Sequence, residues 1–422
     1  MQSLRERADE LWNGVHRTTE PEHHPFVALD QIDEVGPGIA FYKGFVNLAV
    51  VRTDAGAVLI DTGSFLPPAQ KKQFRAVRKW SAERIHTAIY THGHADHAYG
   101  MPPFLAETAE KRWPATDIVG HEMVRPRMQR YIDTAGYNSI INSRQFAAPV
   151  QWPTDPVYPT TTYATRTDLD IGGRKLQLRH ARGETDDHTW VYLPDARVLY
   201  TGDLFIWASP NAGNPQKVQR FALEWAQALR EMAALAPETL LPGHGLPVFG
   251  ADRVHTALVE TADYLEHIHR VTLAGLNAGA NVYDIVAALE IPAQLRDRPY
   301  LQPVYDEPEF VARNVVRCYG GWYSGIPSEL KPSHPREQAR EIVRFAGGVA
   351  PLLERARTLL AAGDLKLASH LVDWAVAADP DSKDVHAVRA SVYEARTAAE
   401  PSTMSKGIFG DAARTSRAKA GG

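Results

Sequence analysis

Thr91-His92-Gly93-His94-Ala95-Asp96-His97 decides how this chain is read. It follows the short apolar run Ile85–Tyr90 (IHTAIY), which has the length and composition of a buried strand. Across Gly93, His92 and His94 alternate at a strand end, so both imidazoles can point the same way. Asp96 and His97 are expected to open the next helix and to present two more ligands one turn away. Four strong ligand side chains between positions 92 and 97 can feed two divalent ions, and no single tetrahedral site would use them all.

Outward from that stretch, composition narrows the choices. The chain has 422 residues, 46 Lys and Arg against 50 Asp and Glu, and a net charge of −4. That balance gives no electrostatic grip on nucleic acid or on an anionic membrane surface. With 44% hydrophobic and 23% charged residues, it is the composition of a packed globular protein rather than a disordered one. Cys318 is the lone cysteine, so any metal must be held by His and carboxylate. The charged start MQSLRERADELWNG is not a secretory leader, and no apolar run approaches the roughly 18 residues of a membrane span. A soluble, cytoplasmic protein is expected.

Residues 39–60 read as strands turning at Asp54-Ala55-Gly56, and residues 67–81 as a helix with Phe74, Val77 and Trp80 on one face. From Glu122 to Thr167 the pattern breaks into a Pro-, Tyr-, Asn- and Arg-rich segment, expected to be a long irregular pocket wall. In it Arg125, Arg127, Arg130 and Arg144 are candidates for binding an anion. Strands resume at 175–181, 189–194 and 197–203, and a helix near 219–235 leads to TLLPGHG. Beyond residue 250 nearly everything reads as helix. The expected organisation is a catalytic domain over 1–250, a helical domain over 251–400 and a flexible tail over 401–422.

Two ions need further ligands, expected at later strand ends. Asp203 closes RVLYTGD and is placed to bridge, while His244 sits in PGHG. In the intervening GETDDHT, Glu184, Asp186, Asp187 and His188 compete for the remaining position. Asp61, in IDTG, is expected to accept a hydrogen bond from a ligand imidazole. Two such ions would supply hydroxide at neutral pH and neutralise charge developing on attack, so no serine or cysteine nucleophile is required.

THGHADH, IDTG, TGD and GHG, in this order, resemble the metallo-β-lactamase superfamily of binuclear hydrolases over about residues 30–250. The resemblance implies an αββα sandwich with the metals at one edge between two sheets. Most hydrolases of that superfamily have Gly-His-Thr where this chain has Gly183-Glu184-Thr185. The alkylsulfatase branch places Glu there, with its bridging acid nineteen residues on, as Asp203 is here. RCYGGWYSGIPSELKP (317–332) and the helices around 366–396 also resemble that branch's dimerisation domain, which implies a homodimer.

This resemblance implies Glu184 with His92 and His94 around a first metal, Asp203 as the bridge, and Asp96, His97 and His244 around a second. Asp96 and Asp203 are then the catalytic carboxylates, and His188 lies behind the ligands beside Asp61. Where the branch holds sulfate with an Arg, this chain reads SPNAGNPQKVQR, so Lys217 and Arg220 are the substrate-contact candidates. Asn138, Asn142 and Arg144 join them, because the branch has an Asn-rich, Arg-containing stretch there. The branch usually continues into a sterol-carrier-like domain, and this chain ends where that domain would begin. The implied activity is zinc-dependent hydrolysis of a small sulfuric ester. Hydrolysis of a carboxylic ester, lactone or phosphoester on the same core is the alternative. A non-catalytic binding protein would have no use for seven convergent ligands.

Overall fold

The structure is a computed structural model that describes residues 2–421. Among the described residues thirteen strands form two sheets. The first contains β1 (Gln31–Gly36), β2 (Ile39–Lys43), β3 (Leu48–Thr53), β4 (Gly56–Ile60), β5 (Ile85–Ile89), β6 (Asp117–His121) and β7 (Thr161–Tyr163), in that order. β1 to β4 are antiparallel, and β4 to β7 run parallel. The second contains β8 (Arg166–Ile171), β9 (Arg174–His180), β10 (Thr189–Leu193), β11 (Val198–Gly202), β12 (Thr239–Pro242) and β13 (Val248–Phe249). It is antiparallel except for the β11–β12 pair.

β10 (TWVYL) and β11 (VLYTG) are buried at every position, as expected of strands covered on both faces. Phe41, Val51 and Ile60 of the first sheet share one core cluster with Leu178, Val191 and Leu199 of the second. Val77 and Phe104, from helices Pro67–Trp80 and Pro102–Glu110, pack with Val50, Leu59 and Ala88 on the other face of the first sheet. Trp225 and Leu229 of helix Ala222–Ala234, with Leu258 and Leu265 of helix Ala251–Asn277, extend the shared core. These are the four αββα layers expected from the motifs.

The chain divides differently from the sequence reading. One compact unit comprises residues up to Ala135 together with Trp152–Gly321, and the other comprises Gly136–Gln151 with the residues from Trp322 onward. The break is not at 250, because Leu258 and Leu265, and Val311 and Val315 of helix Pro308–Gly320, complete the core of the sandwich. Residues 122–167 are not irregular throughout. They contain helices Val124–Asp133 and Ala135–Phe146.

The second unit is built on helices Pro335–Phe345, Val349–Ala361, Leu365–Ala378 and Lys383–Ala399, around Leu353, Val372, Val388 and Val392. The expected flexible tail is instead helix Thr403–Ala420. Ser402 caps it by accepting from the Ser405 N–H, and Ala413 joins the same core. Among the described residues no helix is long and apolar enough to cross a membrane.

Candidate metal centre

The parallel pairs β4–β5 and β11–β12 bring four strand ends to one edge of the sandwich. Each is followed at once by a motif: Asp61, the 91–97 stretch, Asp203 and His244. The Thr189 N–H donates to the Thr91 carbonyl at 2.6 Å, which ties the histidine loop to the second sheet. The Asn47 N–H donates to the Gly243 carbonyl at 2.8 Å, and its side-chain amide donates to the Pro242 and Gly245 carbonyls at 2.9 Å each. The stretch from Thr91 to Gly100 is a compact loop, and the next helix begins only at Pro102. Asp96 and His97 therefore face the site from a turn, not from the first turn of a helix as expected.

Two groups of side chains converge there. Ligand atoms of His92, His94, Glu184 and Asp203 lie within 4.8 Å of one another, as do those of Asp96, His97 and His244. Glu184 Oε2 is 3.4 Å from both His92 Nε2 and His94 Nδ1. Asp203 Oδ1 is 3.2 Å from His97 Nε2, and its Oδ2 is 3.5 Å from His244 Nε2, so this carboxylate stands between the groups. Asp96 Oδ2 is 3.8 Å from His97 Nε2 and 3.6 Å from His244 Nε2.

The far side of each group is occupied in a way that aims it inward. Asp61, buried and at φ 57°, accepts from the Thr91 N–H at 2.8 Å and from the Thr91 hydroxyl at 2.9 Å. It also lies 2.8 Å from His97 Nδ1, which turns that ring's Nε2 toward the site. His244 Nδ1 meets the Phe45 carbonyl at 2.6 Å. Glu184 Oε1 is held by Arg220 at 2.9 Å and by the Asn211 amide. Gly93 donates to Asp187 Oδ2 at 2.8 Å, and Arg127 Nε lies 2.9 Å from Asp187 Oδ1. Arg127, a candidate for binding an anion, is thus spent inside the protein on Asp187 and Asp186. His188 belongs to neither group. Its Nε2 accepts from the Asp203 N–H at 3.2 Å, and its ring stacks on His92 at 4.7 Å. The backbone is tight here, since a Cβ on Gly243 would come within 2.1 Å of Asp203 Oδ1.

Protonation tendencies conflict in a way that a cation resolves. Burial, reinforced by neighbouring imidazoles for His92 and by Arg220 and Arg127 for His94, pushes both rings well below the usual histidine range. Burial raises Glu184 to about 8 even though Arg220 opposes it. His97 is held well above its ordinary value, since Asp203, Asp61 and Asp96 outweigh the burial of its ring. Asp203 is likewise held well below its ordinary value against burial, by His97 and His244. His97 Nε2, Glu184 Oε2 and Asp203 Oδ1 are buried without a hydrogen bond. Unsatisfied acceptors pointed at one another are costly, and divalent cations satisfy such a donor set.

Of the substrate-contact candidates, Arg220 is buried against Glu184, and Lys217 lies over the Trp152 ring at 5.4 Å. Asn138, Asn142 and Arg144 stand in the second unit. There the Asn142 amide donates to the Asn138 carbonyl at 2.7 Å, and Arg144 pairs with Asp411 at 3.2 Å. Sequence reasoning passed over Asn47 and Asn211. Asn47 carried a signal, a polar residue inside the apolar run FVNLAV.

Residues 42–244 match the metallo-beta-lactamase superfamily, and residues 281–419 match the family described as alkyl sulfatase dimerisation. The chain is 27% identical over 366 residues to a linear primary-alkylsulfatase of a Pseudomonas strain, covering 82% of this chain and 69% of that one. It is 26% identical over 396 residues to an (R)-specific secondary-alkylsulfatase of a Pseudomonas species, covering 86% and 58%. The stereoselective inverting sec-alkylsulfatase Pisa1 from Pseudomonas sp. has the same fold. Its TM-score is 0.82 at 22% identity, over 91% of this chain and 65% of that one. The chain thus spans between 58% and 69% of the length of these three relatives.

Proposed function

We propose, for a chain that joins a metallo-β-lactamase domain to an alkylsulfatase dimerisation domain and is homologous to alkylsulfatases, that it hydrolyses sulfuric esters at a centre of two divalent ions. The observation that carries this reading is Glu184. Its carboxylate, gripped by Arg220 and Asn211, stands 3.4 Å from two imidazoles where most of the superfamily places a third histidine. In this reading His92, His94 and Glu184 hold one ion, Asp96, His97 and His244 the other, and Asp203 is shared.

Divalent ions in such a site, zinc being well suited to imidazole and carboxylate, act as Lewis acids and lower the pKa of a bound water. The protein's own residues do the rest. Asp61 keeps His97 in the tautomer whose Nε2 faces the site, and the Phe45 carbonyl does the same for His244. Asp96, its side chain 29% exposed, is the carboxylate open to solvent and is placed to take a proton from attacking water. Lys217 supplies a cation for an anionic leaving group. We assign Arg220 to Glu184 rather than to the substrate, because its guanidinium pairs with the Glu184 carboxylate and donates to the Glu184 carbonyl.

The second unit carries the homodimer reading. Trp322 is 76% exposed and Phe345 98% exposed, and large apolar side chains left in water mark association surfaces.

The test is release of inorganic sulfate from a linear alkyl sulfate by metal-replete protein, run beside a lactone and a phosphodiester, with elemental analysis of the same sample. Sulfate release with about two ions per chain is expected. Turnover of only the lactone or phosphodiester would move the chain to the alternative chemistry, and one ion or none would end the binuclear reading. Light scattering should give twice the chain mass, and a stable monomer would refute the dimer.

A further inference from the structure

The 281–419 match carries a dimerisation description, yet part of it is folded into the sandwich unit behind the metal centre. The link is the loop from Asn211 to Arg220. Both its ends reach Glu184: the Asn211 amide donates to Oε1, while Arg220 lies 2.9 Å from Oε1 and donates to the Glu184 carbonyl at 2.5 Å. Neither side chain has a sheet or helix of its own to fix it, since the loop carries no regular structure.

What fixes the loop comes from about a hundred residues away. Asp306, fully buried, accepts from the Gly213 N–H at 2.6 Å and the Asn214 N–H at 3.1 Å, and its other oxygen accepts from the Glu307 N–H at 2.7 Å. Asn314, on helix Pro308–Gly320, donates its two amide protons to the Ala212 and Arg220 carbonyls, each at 2.9 Å. One side chain therefore brackets the loop at both ends. The helix also lies directly on the loop. A Cβ at Gly213 would come within 2.3 Å of Phe310 and Val311 backbone atoms, so this contact admits glycine alone.

We propose that Asp306 and Asn314 are positioning residues of the first metal site, holding Asn211 and Arg220 so that Glu184 keeps Oε1 engaged and presents Oε2 to His92 and His94. The proposal rests on the metal-centre reading above. The physical chain is short. A buried carboxylate is favoured as an anion only while its partners stay in place. If the loop shifts, Glu184 loses a salt bridge and a hydrogen bond together, and nothing then holds Oε1 so that Oε2 faces His92 and His94. His97 and His244 are oriented instead by Asp61 and by the Phe45 carbonyl, so the second site should be largely unaffected.

The experiment titrates metal-free full-length protein with zinc against a chromophoric chelator, resolving the two affinities. The variants are Asn314→Ala and Asp306→Asn. Arg313→Gln, on the same helix, serves as control because that side chain pairs with Glu309 and lies over the Tyr283 ring rather than bonding the loop. Each clamp variant should weaken the first site ten- to a hundredfold, the usual scale for residues that orient ligands, and leave the second within about twofold. In an Asn211→Ala background the cost of Asn314→Ala should shrink, because the two act through one carboxylate. A lowered melting temperature with both affinities unchanged would make Asp306 and Asn314 ordinary structural residues and overturn the proposal. Equal weakening of both sites would overturn it as well. Asn314→Ala removes three hydrogen bonds, to the Ala212 and Arg220 carbonyls and from Arg317, and no charge, so it remains informative if Asp306→Asn does not fold. Wild-type protein that fails to bind two ions would instead refute the underlying metal reading, which keeps the two failures distinct.

Discussion

Glu184 is gripped by the buried Arg220, whereas His97 and His244 are oriented by Asp61 and a backbone carbonyl beside a partly open Asp96. In the first group the Glu184 side chain is 2% exposed and its counter-ion Arg220 is equally enclosed. In the second, Asp61 and a backbone carbonyl orient the two rings, and the Asp96 side chain stands 29% exposed. The contrast separates two jobs. An enclosed site with an anionic ligand suits an ion that stays, and a site with one carboxylate facing water suits chemistry that must admit water and release acid. Under a chelator the ion at the second group should therefore leave first.

The sharpest way to break the comparison is to remove what the two groups share. Asp203→Ala should abolish binding at both sites and reduce hydrolysis to background, as read by elemental analysis and sulfate release. Retention of both ions would show that the groups are independent. Glu184→Ala should lose one ion and most activity, whereas His188→Ala should keep both. If His188→Ala loses an ion and Glu184→Ala does not, the first site has been assigned to the wrong residue.

Asp61→Asn bears directly on the second group and only through the Thr91 hydroxyl, 2.9 Å from His92 Nδ1, on the first. It removes the charge that favours His97 Nε2 as the inward-facing atom, and should weaken the second ion ten- to a hundredfold and the first by less. Proton competition acts on both groups. His97 at the second site is held well above the usual histidine range by Asp203, Asp61 and Asp96 despite its burial, and Glu184 at the first is raised to about 8 by burial, whereas burial holds His92 and His94 low. Zinc affinity should therefore decline at both sites on acidification, and a site whose affinity ignored pH would contradict the ligand assignment.

The same contrast explains what the sequence could disclose. Six of the seven converging residues sit in short motifs at the ends of apolar strands, where local spacing carries the signal. Glu184 needed the resemblance, since Asp186, Asp187 and His188 were equal rivals on spacing alone. The supports were hidden because they are remote or look out of place. Helix Val124–Asp133 buries Val124, Arg127, Met128 and Tyr131, a regular helical face broken in appearance by one arginine. That arginine is inside because Asp187 neutralises it. Helix Thr403–Ala420 buries Ser405, Gly407, Gly410 and Ser416, and so reads as a small-residue tail. A Cβ on Gly407 would come within 2.4 Å of the Gln145 carbonyl, so the small residues are there for close approach. Asp306 and Asn314 gave no local signal at all.

The smallest expected effect falls on Lys217, outside both groups. Burial and the nearby Arg220 push its ammonium down to about 8, while Asp96 and Glu184 work the other way. The sign follows from the charge. Below that pH the ammonium is present and attracts an anionic sulfate ester, and as pH rises through it the attraction is lost and KM climbs. Lys217→Met should raise KM about fivefold at neutral pH, the ~1 kcal/mol expected of a partly screened ion pair, with kcat nearly unchanged. Lys217→Arg keeps its charge across this range and should flatten the alkaline rise. If wild type and Lys217→Met share one KM profile against pH, Lys217 does not meet the substrate, and the cation for the leaving group must come from elsewhere.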